Sequence, residues 1–153
     1  MKKLADGSIE SYVFPEDVKE VRAGLFWDCK NLTSVEMHEG ITKIGESAFY
    51  NTQSLNLQAL PELVSYINQY AFKNSNIFLN KLPSSLKDVS NNAFEGSSIC
   101  IKDFPLRLVK LTSYAFEKTN ITELFIHSNI IRMDHYCCAY NEKLTSVVIQ
   151  GNS

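Results

Sequence analysis

Phenylalanine returns in this chain on a beat: Phe26, Phe49, Phe72, Phe94 and Phe116, with Cys138 where the next would fall, at intervals of 23, 23, 22, 22 and 22 residues. A unit of that length is too short to bury an apolar face alone, so an even period held along the chain demands stacking of unit on unit. Other columns keep the beat. Leu25, Ala48, Ala71, Ala93, Ala115 and Cys137 come just before it, and Val21, Ile44, Ile67, Val89, Leu111 and Met133 lie five residues before it. Val18, Ile41, Val64, Leu86, Leu108 and Ile130 sit three earlier still. A further column runs Phe14, Met37, Leu60, Leu82, Phe104, Ile126 and Ile149, and the residue after it is Pro15, Pro61, Pro83 or Pro105, or else His38 or His127. All four prolines therefore share one position.

Short apolar stretches such as Val35-Glu36-Met37, Ile77-Phe78-Leu79, Ile99-Cys100-Ile101 and Val147-Val148-Ile149 read as half-buried strands. Between the proline and the Phe, apolar spacings of three and then four or five predict a turn, a short extended piece and one helical turn. The expected fold is a repeat solenoid of about six units starting near 15, 38, 61, 83, 105 and 127, a right-handed coil with a parallel sheet of short strands and short turn or helical returns. Residues 1–8 read as a flexible or capping lead-in, 9–150 as the repeat domain and 151–153 as a tail. Two departures stand out. Leu55-Asn56-Leu57, Ile77-Phe78-Leu79 and Ile99-Cys100-Ile101 are out of step with Leu32-Thr33-Ser34-Val35-Glu36-Met37, which predicts a shifted strand or bulge in the middle of the sheet. Cys137-Cys138 in place of Ala-Phe marks an atypical last unit, read as a terminal cap.

Composition removes several functions. A net charge of −2 and no Lys/Arg cluster argue against nucleic acid and anionic membranes. Asp6, Ser8 and Glu10 interrupt what would be the apolar core of an export signal after Met1-Lys2-Lys3-Leu4, and no stretch is apolar enough to span a membrane, so the compartment is unassigned. Cys29, Cys100, Cys137 and Cys138 lack the spaced pairs of a zinc or redox site and read as small buried hydrophobes; no metal or cofactor is expected. His38 and His127 lie several coils apart. His135, beside Asp134 and near Cys137, resembles a base next to a nucleophile but sits on a return turn with no recognisable oxyanion donors. With no phosphate-binding glycine loop and no hydrolase motif, the chain is not expected to be an enzyme.

Pro-x-x-Val/Leu-x-x-Ile-x-x-x-Ala-Phe, then a small residue and a Leu leading into a strand, resembles the BspA-like class of leucine-rich repeats, and Ile41-Thr42-Lys43-Ile44-Gly45-Glu46-Ser47-Ala48-Phe49 is similar to that pattern nearly throughout. The resemblance covers about residues 9–150. Such repeats are found in bacterial surface antigens and in some parasite and phage-encoded proteins. It implies a non-catalytic recognition or adhesion module at a cell surface, outside the cell or on a virion, with a protein partner from a host, a neighbouring cell or an assembly. The alternative is a structural subunit of a virion, phage tail or surface layer, forming homo- or hetero-oligomers through the solenoid ends, since parallel edges near Ile9–Phe14 and Leu144–Ile149 invite pairing.

Contacts would come from outward residues that differ between copies. On the strands these are Val13, Glu36, Ala59, Lys81, Asp103, Phe125 and Val148, with Phe125 and Val148 expected side by side. Trp27 and Tyr50 fall in register just after the Phe column, and Tyr70, Tyr114 and Tyr136 two residues before it.

Overall fold

The structure, a computed structural model, describes residues 7–151; most of the lead-in and tail assigned from sequence lies outside them. Six coils stack as the period requires. Among the described residues ten short strands, all paired in parallel, line two sides of the stack. On one side β1 (Ser11–Val13) pairs with β3 (Ser34–Glu36), and β8 (Glu123–Ile126) with β10 (Ser146–Ile149). On the return side β2 (Glu20–Val21), β4 (Lys43–Ile44), β5 (Tyr66–Ile67) and β6 (Asp88–Val89) form one sheet, and β7 (Lys110–Leu111) pairs with β9 (Arg132–Met133).

The spine is continuous. Phe26, Phe49, Phe72, Phe94 and Phe116 are fully buried, with centroids 5.2 to 5.4 Å from ring to ring and interplanar angles of 23° or less. Tyr12 and Phe14 close its leading end by meeting the Phe26 ring edge to face, at 5.3 and 6.0 Å. Backbone bonds tie each coil to the next at the same level: Phe26, Phe49, Phe72, Phe94 and Phe116 N–H donate to the carbonyls of Ala48, Ala71, Ala93, Ala115 and Cys137. At Gly45 the backbones of two coils approach closely, since a Cβ there would lie 2.6 Å from both Val21 O and Ala23 N.

The small-residue column closes each return. Thr52, Ser75 and Ser97 donate their hydroxyls to the carbonyls of Phe49, Phe72 and Phe94 at 2.7 to 2.8 Å, so these buried polar groups are satisfied within their own turn. Asn141 does more, accepting from Thr119 N–H and Oγ–H and donating to the carbonyls of Phe116 and Cys138.

The helical turn expected in the returns is not formed: no helix occurs among the described residues. Each return instead carries positive φ both two residues before the Phe column (Gly24, Ser47, Tyr70, Asn92, Tyr114, Tyr136) and two residues after it (Asp28, Asn51, Asn74, Gly96, Lys118, Tyr140). Left-handed residues four apart break any α-helical run, and overlapping four-residue turns, each closed by an N–H to the carbonyl three residues before it, take its place. His38 and His127 stand in for proline by accepting the N–H two residues on, Gly40 and Asn129, at Nδ1, and the His127 Nε2 then faces Pro105 O at 3.2 Å.

In the middle coils the apolar residues Leu55, Leu57 and Leu60 all point inward, as do Ile77, Leu79, Leu82 and Ile99, Ile101, Phe104. The outward stretches Gln58-Ala59, Asn80-Lys81 and Lys102-Asp103 are then two residues long, which interrupts regular pairing and leaves the strand side without assigned strands between β3 and β8. Single bonds such as Phe78 N–H to Leu57 O and Cys100 N–H to Leu79 O bridge the gap.

Candidate protein-binding surface

The strand face is built from the residues that the ladders leave outside. At its C-terminal end β8 and β10 are long enough for regular register, and Phe125 lies opposite Val148. A further bridge sets Asp103 beside Phe125. Both apolar side chains reach solvent, Phe125 by 42% and Val148 by 54%. An ion pair of Lys102 with Glu123 edges them, and a shallow depression of about 200 Å³ opens between Asp103, Phe125 and Val148.

The other outward strand residues form separate groups. Glu36 pairs in register with exposed Val13 at the opposite end of the sheet. Lys81 reaches sideways to Glu62 at 2.8 Å, and that carboxylate also accepts the N–H and hydroxyl of Ser84; together these hold Glu62 down to about 2, the Lys81 contact being the largest cause. Phe78, half exposed among the polar middle coils, was not singled out from sequence because its apolar neighbours Ile77 and Leu79 made it look like strand interior.

Trp27 and Tyr50 meet on the return side, edge to face at 5.6 Å with Trp27 half exposed. Tyr114 and Tyr136 stack at 5.4 Å and Tyr140 follows Tyr136 at 6.5 Å, while Tyr70 stands apart under the Lys73 ammonium. Tyr70, Tyr114, Tyr136 and Tyr140 all occupy left-handed backbone, a conformation that disfavours a side chain with Cβ. The column occupants Gly24, Ser47, Asn92, Asn51, Asn74 and Gly96 carry the signal that could have revealed this.

The hydrolase-like grouping near Cys137 resolves into separate roles. Asp134 binds Arg132 Nε at 2.6 Å and Lys110 at 3.3 Å, and the Arg132 hydrogen bond is the main cause of its lowered pKa. His135 is exposed and holds Tyr114 N–H through its carbonyl. The Cys137 thiol is drawn down to about 7, chiefly by the hydrogen bond from the Cys138 thiol, with help from the backbone amides of both cysteines; Cys138 is pushed up as the donor. No disulfide joins any of the four cysteines, and no group of three or more metal-ligating side chains occurs among the described residues. No helix there is long and apolar enough to cross a membrane.

These columns define a class of protein before any relative is considered, a solenoid of 22–23-residue coils with a phenylalanine spine. The BspA type leucine rich repeat region matches it in six copies, over residues 4–105 and 65–153, and the chain belongs to that family. A leucine rich cell surface protein of Faecalibacterium prausnitzii shares the fold at TM-score 0.64 and 17% identity, the match covering 92% of this chain and 48% of that one. A leucine-rich repeat protein of Eubacterium ventriosum aligns at TM-score 0.48 and 17% identity, over 94% of this chain and 32% of that one. The chain thus spans about half the length of the first of these structures. Comparison with curated proteins finds no match.

Proposed function

We propose that the chain is a non-catalytic protein-recognition or adhesion module that works at a cell surface, and that the strand face around Phe125 and Val148 is its contact surface. The observation that carries this is the pairing of two large exposed apolar side chains on adjacent strands, bordered by Asp103 and the Lys102–Glu123 ion pair. An apolar centre with a charged rim is the composition of a protein interface. Repeat solenoids bind through such extended surfaces, and the description of the F. prausnitzii protein as a cell surface protein supports the location. The rigid ladders fix the surface in advance, so binding costs little ordering of the backbone.

The test is capture from a cell-surface extract on the immobilised full chain. A discrete protein should be retained, be displaced by soluble chain, survive Trp27→Ser and be lost with Phe125→Glu/Val148→Glu. Retention indifferent to the double substitution refutes the assignment of this face.

A further inference from the structure

The column two residues after the Phe spine reads Asp28, Asn51, Asn74 and Gly96 over the first four coils, all with positive φ. On the first two coils it closes on itself, since Asn51 Nδ2 donates to Asp28 Oδ1 at 2.5 Å. On the next two it does not. Gly96 brings no side chain to meet Asn74, whose Oδ1 leans over the glycine where a Cβ would collide with it. A depression of about 300 Å³ opens here, lined by Gln53, Asn74, Ser75, Asn76, Gly96 and Ser98. Gln53 and Asn74 make no side-chain hydrogen bond among the described residues, and Asn76 has only a long one, accepting from Ser98 Oγ at 3.4 Å. No charged side chain among the described residues lines it. In the adjoining column Lys73 and Glu95 pair with each other at 2.8 Å, and the same column carries Trp27 and Tyr50 on the first two coils.

We propose that this depression and the Trp27–Tyr50 pair beside it form a binding site for a neutral oligosaccharide. A carboxamide holds an acceptor and two donors in one plane, so it both gives to and takes from neighbouring sugar hydroxyls. An anion would use only the donors and a cation only the oxygens, and neither meets an opposite charge in the lining. The half-exposed indole of Trp27 supplies the other part of sugar recognition, an electron-rich face for the C–H side of a pyranose ring. Parallel coils about 4.8 Å apart set the aromatic pair and the amides in a row along the solenoid, which favours a chain of sugars over a single ring. None of these residues belongs to the strand face, so the site stands independently of the recognition assigned to Phe125 and Val148.

The test is a titration of the isotope-labelled full chain with maltotriose, cellotriose or tri-N-acetylchitotriose at millimolar concentration, followed by nuclear magnetic resonance. At least one should shift the side-chain amide signals of Gln53 and Asn74 and the indole N–H of Trp27, the one tryptophan of the chain, along a single saturating curve. Gln53→Ala, an exposed change, should weaken binding about fivefold through the loss of one hydrogen-bonding group. Gly96→Asn puts into the column a residue that its backbone conformation already accepts at Asn51 and Asn74, and should abolish binding with the melting temperature as the check on folding. Phe125→Glu/Val148→Glu should bind the sugar as the wild-type chain does, so that failure of either site leaves the other standing. No saturating shift with any of the three sugars overturns the proposal, as does a shift confined to Trp27 or one indifferent to both Gln53→Ala and Gly96→Asn. Equal shifts with triglycine assign the amides to a peptide backbone and overturn the sugar class.

Discussion

Phe72→Ala removes a ring from the centre of the spine. Phe72 is fully buried and stacked on Phe49 at 5.2 Å and Phe94 at 5.4 Å, with interplanar angles of 2° and 7°, so its loss opens a cavity bounded by ring faces on both sides. Large-to-small changes of this kind cost about 3–5 kcal/mol, and the rigid backbone ladder on either side, Phe49 to Ala71 and Phe72 to Ala93, resists collapse into the space. At about 2–4 °C per kcal/mol for a chain of this size, the melting temperature should fall by about 6–20 °C. Because stability in a stack of coils is a sum of nearest-neighbour terms, weakening the middle should also uncouple the halves, seen as a lower denaturant m-value in urea unfolding followed by circular dichroism. Cys138→Ala, in the same column but in the exposed last coil, is the control, with an expected cost below about 1 kcal/mol. Equal costs for the two substitutions would falsify the claim that the rings act as one internal spine.

Three further outcomes follow from single contacts. Asn141→Ala leaves the Thr119 amide and the Cys138 carbonyl without their partner, and the Phe116 carbonyl with only the Thr119 hydroxyl at 3.4 Å, and should cost about 1–3 kcal/mol in the same urea experiment; a neutral result contradicts the buried network. At Tyr70, φ is 57°, so Tyr70→Gly should be more stable than Tyr70→Ala by about 1 kcal/mol, although both lose the ring under Lys73; Ala matching Gly would place that backbone elsewhere. Glu62 is ionised more readily in the fold, about 2 against 4.5, so its contribution is fully present above pH 4.5 and lost as pH falls through about 2. The lead of the wild-type chain over Glu62→Gln should therefore be flat at neutral pH and shrink across that acid window; a lead that grows on acidification has the wrong sign.

The spine and its flanking columns were legible because burial in a stacked coil admits only apolar side chains of the right size, and the period places them. The atypical last unit was legible for the same reason, since Cys137-Cys138 broke two columns at once. The returns were not. Spacings of three and four suit a helical turn as well as a chain of tight turns, and what decides between them is the left-handed backbone at two positions per coil, which Tyr70 or Lys118 does not advertise. Nor does spacing show that the Cys137 thiol is drawn down, because that depends on how the turn aims the neighbouring Cys138 thiol at it. Phe125 and Val148 could be placed as neighbours from sequence because the end coils keep regular register, whereas exposed Phe78 lay in the coils where register slips.

That slip bears on where a partner can bind. In the middle coils the inward residue comes one position earlier, which turns two consecutive side chains outward, and both are polar or small in Gln58-Ala59, Asn80-Lys81 and Lys102-Asp103. In the coils that end at Ile126 and Ile149 the last outward position is a single residue flanked by inward ones, and there it is Phe125 and Val148. The strand face is therefore polar at its centre and apolar toward its C-terminal end, apart from Phe78. Desolvating Phe125 and Val148 gives a partner more than desolvating Lys81, which is held by Glu62 and must either keep that ion pair or exchange it. A partner that reads this solenoid from its strand side therefore gains most by sitting over the last two coils, where Phe125 and Val148 lie side by side.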